Sequence, residues 1–269
     1  MNNNIIVFPE YEELKNRVKK LKEQLCKFVF ERDNLLLVEC KNIEAQYMIE
    51  LGSLEIAIYK IQCRVLRARR KLSIIQKKIN YKEKVIESDI DFELDIEFEE
   101  YQKQLNFKID KLNDALSYNK AEVLSESETK ELKEIYYKVI KKLHPDLNNN
   151  ITNTEIELFY KAVEAFDEGD IITMRIIAKA IIDDDAFEFT RDSIKEIIHE
   201  IKTLTEIKEN IKNSIDEIKS SFPYNTIDLL NDPKKLKIKQ SEYKELIEQE
   251  TQMLNIYERR ITETIRSYS

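Results

Sequence analysis

The sequence predicts an all-α protein in which elongated, antiparallel coiled-coil helical hairpins flank a smaller helical hairpin. Of its 269 residues only 2 are Gly and 4 are Pro, while 36% are charged. This composition is typical of long helices and not of a compact α/β enzyme. Apolar residues also recur at helical spacing along much of the chain, with capping residues where those patterns begin. We therefore expect a coiled-coil region at 1–120, a small helical hairpin region at 121–185 and an antiparallel helical hairpin at 186–269.

Two helical patterns fill most of segment 1–120. The first begins after Pro9 and predicts a helix that reaches about Val38. The second is a heptad seam that is apolar at every position: Tyr47, Leu51, Leu54, Ile58, Ile61, Val65, Ala68, Leu72, Ile75 and Ile79. We place a bend at about Glu39 to Asn42, where the first pattern fails and Asn42 can cap a helix. Gly52 lies in register with the seam and therefore indicates close helix packing rather than a turn.

Opposite charges follow each other on the second helix and beyond it. The basic side chains are Arg64, Arg67, Arg69, Arg70, Lys71, Lys77, Lys78, Lys82 and Lys84. The acids are Asp89, Asp91, Glu93, Asp95, Glu97, Glu99 and Glu100. The basic cluster is either an anion or nucleic-acid patch, or a solvated face that acidic neighbours neutralise. We favour neutralisation, because an antiparallel return would bring the acids back beside the basic stretch.

The acidic stretch itself supports two interpretations. Apolar residues alternate with acids from Ile90 to Phe98, which is typical of a strand. Helical spacing competes through Ile90, Leu94, Phe98, Tyr101, Leu105 and Ile109. Ser88 and Asp89 can start a helix there, since their side chains suit a helix N-terminus. We favour the helix, because no partner strand is visible elsewhere in the sequence.

Segment 121–185 begins with a basic amphipathic helix. Ser125 and Glu128 form a capping box that starts it. Its apolar stripe is Leu132, Ile135, Tyr136, Val139 and Leu143. The tripeptide His144-Pro145-Asp146 follows, and the proline must end the helix because it cannot continue the hydrogen-bonding pattern.

A second amphipathic helix follows a short Asn-rich loop. Thr152 and Glu155 form its capping box, and Gly169 is the expected left-handed terminator. The loop is short enough to force an antiparallel hairpin. We expect the tripeptide to lie at the tip of this hairpin, solvated and held in a fixed orientation.

A helix, a His-Pro-Asp turn and a second helix in this order resemble the J domain of DnaJ-like co-chaperones. In that family the helix before the turn carries an aromatic residue, then basic residues around an apolar pair. Tyr136 matches the aromatic residue, and Val139 and Ile140 match the pair. The matching basic residues are Lys138, Lys141 and Lys142. The core face of the family's next helix is matched by Phe159, Ala162, Ala165 and Phe166.

The chain departs from the family pattern outside the hairpin. Tyr137 stands where the family prefers Arg or Lys, which removes one contact expected with an acidic partner. The family's first-helix signature is not recognisable, so residues 111–124 would have to take its place. The basic motif that often opens the fourth helix is also missing. The resemblance covers about residues 121–182.

The resemblance implies docking on a DnaK-class chaperone, with stimulation of its ATP hydrolysis, rather than catalysis by this chain. The chaperone-binding residues that it implies are His144, Pro145, Asp146, Lys138, Lys141, Lys142 and Tyr137. The stretch from Lys130 to Lys142 carries five lysines and two glutamates in a chain of net charge −8. Such a patch raises association rates with an acidic surface. The alternative is a structural coiled-coil adaptor whose hairpin has lost chaperone coupling.

The C-terminal segment repeats the helical pattern. Its first seam is Ile194, Ile197, Ile201, Leu204, Ile211, Ile215 and Ile218. Phe222-Pro223 should end that helix, and Asp232-Pro233 should start the return helix. The partner face is Tyr243, Leu246, Leu254, Tyr257, Ile261 and Ile265.

Several classes of function are disfavoured. The sequence contains no phosphate loop, nucleophile with its base or paired buried carboxylates, so we expect no enzymatic activity and no cofactor. Cys26, Cys40 and Cys63 fit no common zinc or redox spacing and are more typical of small core residues. His199 has no Cys or His nearby and is expected on a helix surface or in a seam. No apolar run reaches the length of a membrane span, so we expect a cytoplasmic protein; its net charge disfavours general nucleic-acid binding. A client protein or a second copy remains a candidate partner of the arms.

Overall fold

The computed structural model describes residues 9–118, 124–148, 151–180 and 194–268, and every regular element in these ranges is helical. The all-α prediction is therefore confirmed for this part of the chain. The elements are α1 (Pro9–Asn34), a π-helical segment (Leu35–Glu39), α2 (Cys40–Tyr47), a second π-helical segment (Met48–Gly52), α3 (Ser53–Asn80), α4 (Glu87–Glu97), α5 (Glu99–Tyr118), α6 (Glu126–Leu143), α7 (Asn153–Glu168), α8 (Ile171–Ala180), α9 (Ile194–Ser220), a 3₁₀ turn (Tyr224–Thr226), α10 (Ile227–Leu230) and α11 (Pro233–Tyr268). No helix of the described ranges is long and apolar enough to cross a membrane.

The chain divides into two compact units, and each contains two separate stretches of sequence. Unit 1 comprises Met1–Asn42 and Glu122–Asn225, and unit 2 comprises Ile43–Ala121 and Thr226–Ser269. These units differ from the three consecutive segments expected at 1–120, 121–185 and 186–269. The physical reason is that the longest helices pack against helices far away in sequence: α1 against α9, and α3 against α11.

Unit 1 is built on a parallel pair of long helices, α1 and α9. Their cross-helix contacts advance in the same direction along both: Lys22 with Glu200 at 3.1 Å, Gln24 with Lys208 at 3.5 Å, and Glu31 with Lys219 at 2.7 Å. Helices α6, α7 and α8 pack beside this pair. One core joins all five helices, and its members include Leu25, Val29, Tyr136, Phe166, Met174 and Leu204.

Unit 2 contains a second parallel pair, α3 and α11. Contacts again advance together: Glu55 with Tyr243 at 3.1 Å, Arg64 with Glu258 at 3.5 Å, and, just after the end of α3, the backbone oxygen of Glu83 with the Tyr268 hydroxyl at 3.4 Å. The antiparallel pairing of consecutive long helices that the sequence suggested is thus replaced by parallel pairing. The predicted seam positions still face the packed side, since Ile61, Leu72 and Ile75 join Leu254 and Ile261 in one core.

The helical structure is not interrupted at Glu39 to Asn42, where a bend between two helices is expected from the sequence. Residues 35–52 are helical throughout, with π geometry at Leu35–Glu39 and Met48–Gly52. Asn42 lies exposed inside α2, so the prediction that it caps the start of a helix was wrong. Gly52 is buried, has helical backbone angles and faces Leu112 of α5, which confirms the close packing inferred for it.

Residues 87–97 form α4, so the strand interpretation is ruled out. Ile90 and Leu94 are fully buried against the core of unit 2. The expected charge neutralisation is also confirmed. Arg67 pairs with Asp95 at 2.8 Å, and Lys71 pairs with Asp91 at 3.0 Å. The antiparallel return of α4 along α3 therefore covers part of the basic stretch with acids.

The helices of the C-terminal segment begin and end where the sequence predicts. Helix α9 ends at Ser220, just before Phe222 and Pro223. Helix α11 begins at Pro233, and Oδ1 of Asp232 accepts a hydrogen bond of 2.9 Å from the backbone N–H of Lys234. The carboxylate therefore caps a helix whose first residue has no N–H to satisfy.

Candidate functional site

Both helices of the small hairpin begin with the predicted capping boxes. At the start of α6, the hydroxyl of Ser125 accepts from the N–H of Glu128 at 3.2 Å, and the Glu128 carboxylate accepts from the N–H of Ser125 at 3.0 Å. Thr152 and Glu155 make the same reciprocal pair at the start of α7, at 3.3 and 2.8 Å. Gly169 then ends α7 with a left-handed φ of 72°. Each box satisfies two N–H groups that the helix leaves without partners.

The two helices pack antiparallel through aromatic rings. The ring of Tyr136 in α6 stacks on Phe166 in α7, with centroids 4.1 Å apart and an angle of 6° between the planes. Near the turn, the ring of His144 meets Phe159 edge-on, with centroids 5.2 Å apart. The hairpin thus has rigid contacts at the turn and about two helical turns away from it.

The tripeptide forms a turn held by hydrogen bonds around His144. The His144 carbonyl oxygen accepts hydrogen bonds from the backbone N–H groups of Leu147 at 3.0 Å and Asn148 at 3.1 Å. It also accepts one from the Asn148 side chain at 3.2 Å. Its ring Nδ1 accepts from the backbone N–H of Asp146 at 3.1 Å. Pro145 is half-buried, and Asp146 is exposed. The turn therefore holds the backbone of Asp146 in place, while the Asp146 side chain lies exposed to solvent.

His144 is buried, contrary to the expectation that the whole tripeptide is solvated. It is only 6% exposed. The turn itself satisfies Nδ1, so the ring can cover Phe159 without leaving that nitrogen unpaired. Burial lowers the pKa of His144 below its usual range, and the nearby Arg32 lowers it further, while Asp146 and Asp33 raise it. Burial is the largest of these effects.

The remaining predicted residues lie on α6 before the turn. Lys138 is exposed, whereas Lys141 and Lys142 are half-buried. Tyr137, which replaces the family's basic residue, is half-buried and meets Phe30 of α1 edge-on at 5.8 Å. Burial raises the pKa of Tyr137. The lysines therefore lie one or two helical turns from the tripeptide, while Tyr137 belongs to an internal aromatic contact.

Sequence reasoning missed the contribution of α1 to this region. Asp33 is buried, and its Oδ2 accepts a 2.8 Å hydrogen bond from the Tyr136 hydroxyl. Its other oxygen accepts from Arg32 at 2.9 and 2.7 Å. Asp33 follows the buried Val29 by four residues, so it continues the apolar stripe of α1. The sequence does contain one signal for this contact, because a charged residue stands at a position where the stripe of α1 predicts a core residue.

An open groove lies beside Tyr137, with a volume of about 760 Å³. Its lining is Phe30, Leu124, Glu126, Thr129, Lys130, Lys133, Glu134, Tyr137 and Lys138. Its apolar walls are thus rimmed by charges of both signs.

The other candidate site residues from the sequence are the three cysteines and His199. Within the ranges that the structure describes, no three His, Cys, Asp or Glu side chains are grouped to hold a metal ion. Cys26 and Cys40 are buried and Cys63 is half-buried, and the three are not joined in a disulfide. Burial raises the pKa of Cys26 to about 12, which disfavours the reactive thiolate. His199 is exposed on α9.

No protein-family model matches this chain, and comparison with curated proteins and with solved structures yields no significant match. Function is therefore inferred from the contacts within the molecule.

Proposed function

We propose that the α6–α7 hairpin of unit 1 docks on a DnaK-class chaperone and stimulates its ATP hydrolysis, as a J domain does. The observation that carries this proposal is the geometry of the turn. Asp146 is exposed while its own N–H is held by His144, which in turn packs on Phe159. Because the backbone of Asp146 is already held, it loses little further conformational freedom when a partner binds the exposed carboxylate.

The charge of α6 supports the same proposal. Lys138 is exposed and Lys142 is partly exposed, and both are close to the turn. In a chain of net charge −8, these lysines form a local basic surface next to an exposed carboxylate. Basic rims of this kind speed encounter with acidic surfaces more than they tighten the final complex, which suits a transient regulator.

The long helical pairs α1–α9 and α3–α11 would then bind a client protein or a second copy of the chain. These helices are long, and they lie far from the tripeptide in the sequence. In this proposal the chain contributes no catalytic group of its own, and the hydrolysed ATP belongs to the chaperone. The cytoplasm, where DnaK-class chaperones act, is the matching location.

Single-turnover ATP hydrolysis by the host's DnaK-class chaperone tests the proposal. We expect the wild-type chain to accelerate hydrolysis and Asp146→Asn to remove the acceleration. Asp146 is the sharpest probe because its side chain is exposed, so the substitution leaves the hairpin's packing intact. Lys138→Glu should reduce the acceleration and make the remainder less sensitive to salt.

The matched control is Lys161→Glu, which makes the same change of charge at an exposed position of α7. It should stimulate as the wild type does. Equal stimulation by wild type and Asp146→Asn would contradict the proposal, provided that circular dichroism shows both to be folded.

A structural adaptor that has lost chaperone coupling is the second candidate, and the environment of Tyr137 favours it. This side chain packs on Phe30, so the position that is basic in J domains here contributes to an internal contact. A folded wild-type chain that leaves the chaperone's hydrolysis rate unchanged would support this candidate.

A further inference from the structure

Helix α4 has a face that lies exposed to solvent among the residues that the structure describes. Phe92 is 69% exposed and Ile96 is 63% exposed, and they lie one helical turn apart. Asp89 and Glu93 are exposed too, and the helical period places all four residues within about 100° around the axis. We name Asp89, Phe92, Glu93 and Ile96 the outer face of α4.

The opposite face of α4 shows what this chemistry can hold. There Ile90 and Leu94 are fully buried in the core that they share with α3. Acids flank them and pair with basic side chains of α3: Glu87 with Lys71 at 3.2 Å, Asp91 with Lys71 at 3.0 Å, and Glu97 with Arg70 at 3.1 Å. The inner face therefore packs against a basic amphipathic helix, with an apolar centre and acidic flanks.

The outer face has the same combination of residues, and its Asp89 carboxylate accepts only a 3.3 Å hydrogen bond from the neighbouring Ser88 hydroxyl among the described side chains. Neither Asp89 nor Glu93 forms an ion pair with any residue that the structure describes. Two large apolar side chains left in water forgo about 1.5–3 kcal/mol each of transfer free energy. Adjacent exposed apolar side chains rimmed by acids are typical of an interaction surface rather than of scattered surface residues.

We propose that the outer face of α4 binds a basic amphipathic helix of a partner protein, much as the inner face holds α3. Phe92 and Ile96 would contact the apolar stripe of that helix, and Asp89 and Glu93 would pair with its lysines or arginines. An acidic or uncharged helix lacks this complementarity. The inference lies in unit 2 and is independent of whether the hairpin of unit 1 binds a chaperone.

Fluorescence anisotropy with the full chain and a labelled peptide tests this inference. The probe is a designed helix of about 18 residues with leucines on one face and lysines beside them, long enough to approach helicity when bound. We expect saturable binding that weakens as salt is raised. The matched control peptide carries glutamates in place of the lysines and should not bind.

Two pairs of substitutions locate the binding on the outer face. Phe92→Ser with Ile96→Ser, and separately Asp89→Asn with Glu93→Gln, should each weaken binding by about tenfold or more. The amide variants change no side-chain volume, so they remain informative even if the serine variant fails to fold. The control is Ile172→Ser with Ile176→Ser on α8, which are 68% and 63% exposed and one turn apart. It should bind as the wild type does.

Three results would overturn the inference. The first is no binding of the basic peptide to the wild type, and the second is equal binding of the acidic peptide. The third is self-association of the wild type in sedimentation velocity that the Phe92 and Ile96 substitutions abolish, without any peptide binding. That result would assign the outer face to a second copy of the chain.

Discussion

The hydroxyl of Tyr136 donates a 2.8 Å hydrogen bond to Oδ2 of Asp33, a residue 103 positions earlier in the chain. Both side chains are buried, and the bond ties α6 to α1. The ring of Tyr136 also stacks on Phe166 of α7. The hairpin that carries the tripeptide therefore shares its core with α1, and it does not fold around a small core of its own.

Replacement of Tyr136 by Phe should destabilise unit 1 by about 1–3 kcal/mol, because it leaves a buried carboxylate oxygen without its donor. The ring and its stacking on Phe166 are kept, so the loss reports the hydrogen bond alone. Urea unfolding followed by circular dichroism measures it. Tyr160→Phe, at an exposed position of α7, is the matched control and should change stability little. A wild-type midpoint in Tyr136→Phe would mean that the Asp33 oxygen finds another donor.

Acidification should destabilise unit 1 through His144. Burial lowers the pKa of His144, so the unfolded chain takes up this proton at a higher pH than the folded chain does. The stabilisation from His144 is therefore present above the ordinary histidine pKa of about 6.5, and it is lost as the pH falls from there through the folded value. Free energies of unfolding at about pH 7.5 and pH 5.5 should differ more in the wild type than in His144→Gln.

His199→Gln is the control for this comparison, because His199 lies exposed on α9. It should keep the wild-type difference between the two pH values. Parallel pH dependence in wild type and His144→Gln would show that the His144 proton is not linked to folding. His144→Gln should also lower stability at neutral pH, since the ring packs on Phe159.

Local signals in the sequence predicted local structure well. Ser125 and Glu128 form the expected box, Gly169 has the expected left-handed backbone, and residues 87–97 are helical as their spacing favoured. These features depend on interactions within a few residues. The heptad seam also identified buried positions such as Leu72, because a stripe must face some partner whichever partner that is.

The identity of each seam's partner could not be predicted in the same way. The sequence predicts that the seam through Ile197 and Leu204 packs against the stripe of α11, because the two segments follow each other along the chain. In the structure these residues share a core with α1 instead. An apolar stripe shows that one face of a helix is buried, but it does not show which other helix covers that face. When helices are long, closeness in the sequence is a weak guide to the partner. The burial of His144 is likewise a tertiary effect that no neighbouring residue signals.

A buried ion pair joins α1 to α9, and its loss should destabilise unit 1. Lys22 and Glu200 lie 3.1 Å apart, and both are buried. Glu200→Ala should lower the free energy of unfolding by more than about 1 kcal/mol, the usual upper value for an exposed pair, because the Lys22 ammonium stays buried and loses this carboxylate. Replacement of both by apolar residues, Lys22→Met with Glu200→Leu, should recover most of that loss.

The same two helices supply the control for that prediction. Lys219 and Glu31 pair at 2.7 Å, but both are partly exposed. Lys219→Ala should therefore cost less than about 1 kcal/mol. Equal costs for Glu200→Ala and Lys219→Ala in urea unfolding would show that burial adds nothing to the Lys22–Glu200 pair.

The close packing at Gly52 should tolerate a methyl group but not a larger side chain. A Cβ at this position would lie 3.0 Å from the terminal methyl of Met48 and 3.4 Å from Leu112. Gly52→Ala should change stability little, because the Met48 side chain can shift and the helix gains from a stiffer residue. Gly52→Val should cost about 1–3 kcal/mol by overpacking. Ser53→Val, at an exposed neighbouring position, controls for the helix propensity of valine.

Charges placed in the α3 seam should unfold unit 2. Leu72 and Ile75 are buried in a core with Leu254 and Ile261 of α11. Burial of each contributes about 1.5–3 kcal/mol of transfer free energy, and aspartates there would be buried without a counter-charge. Leu72→Asp with Ile75→Asp should therefore lower helicity by circular dichroism, whereas Ser73→Asp with Gln76→Asp, at exposed positions of the same turns, should not.

Unchanged helicity in the first variant would mean that these seam positions face solvent. Loss of helicity with chaperone stimulation retained would show that unit 1, which holds the hairpin together with α1 and α9, folds independently of unit 2.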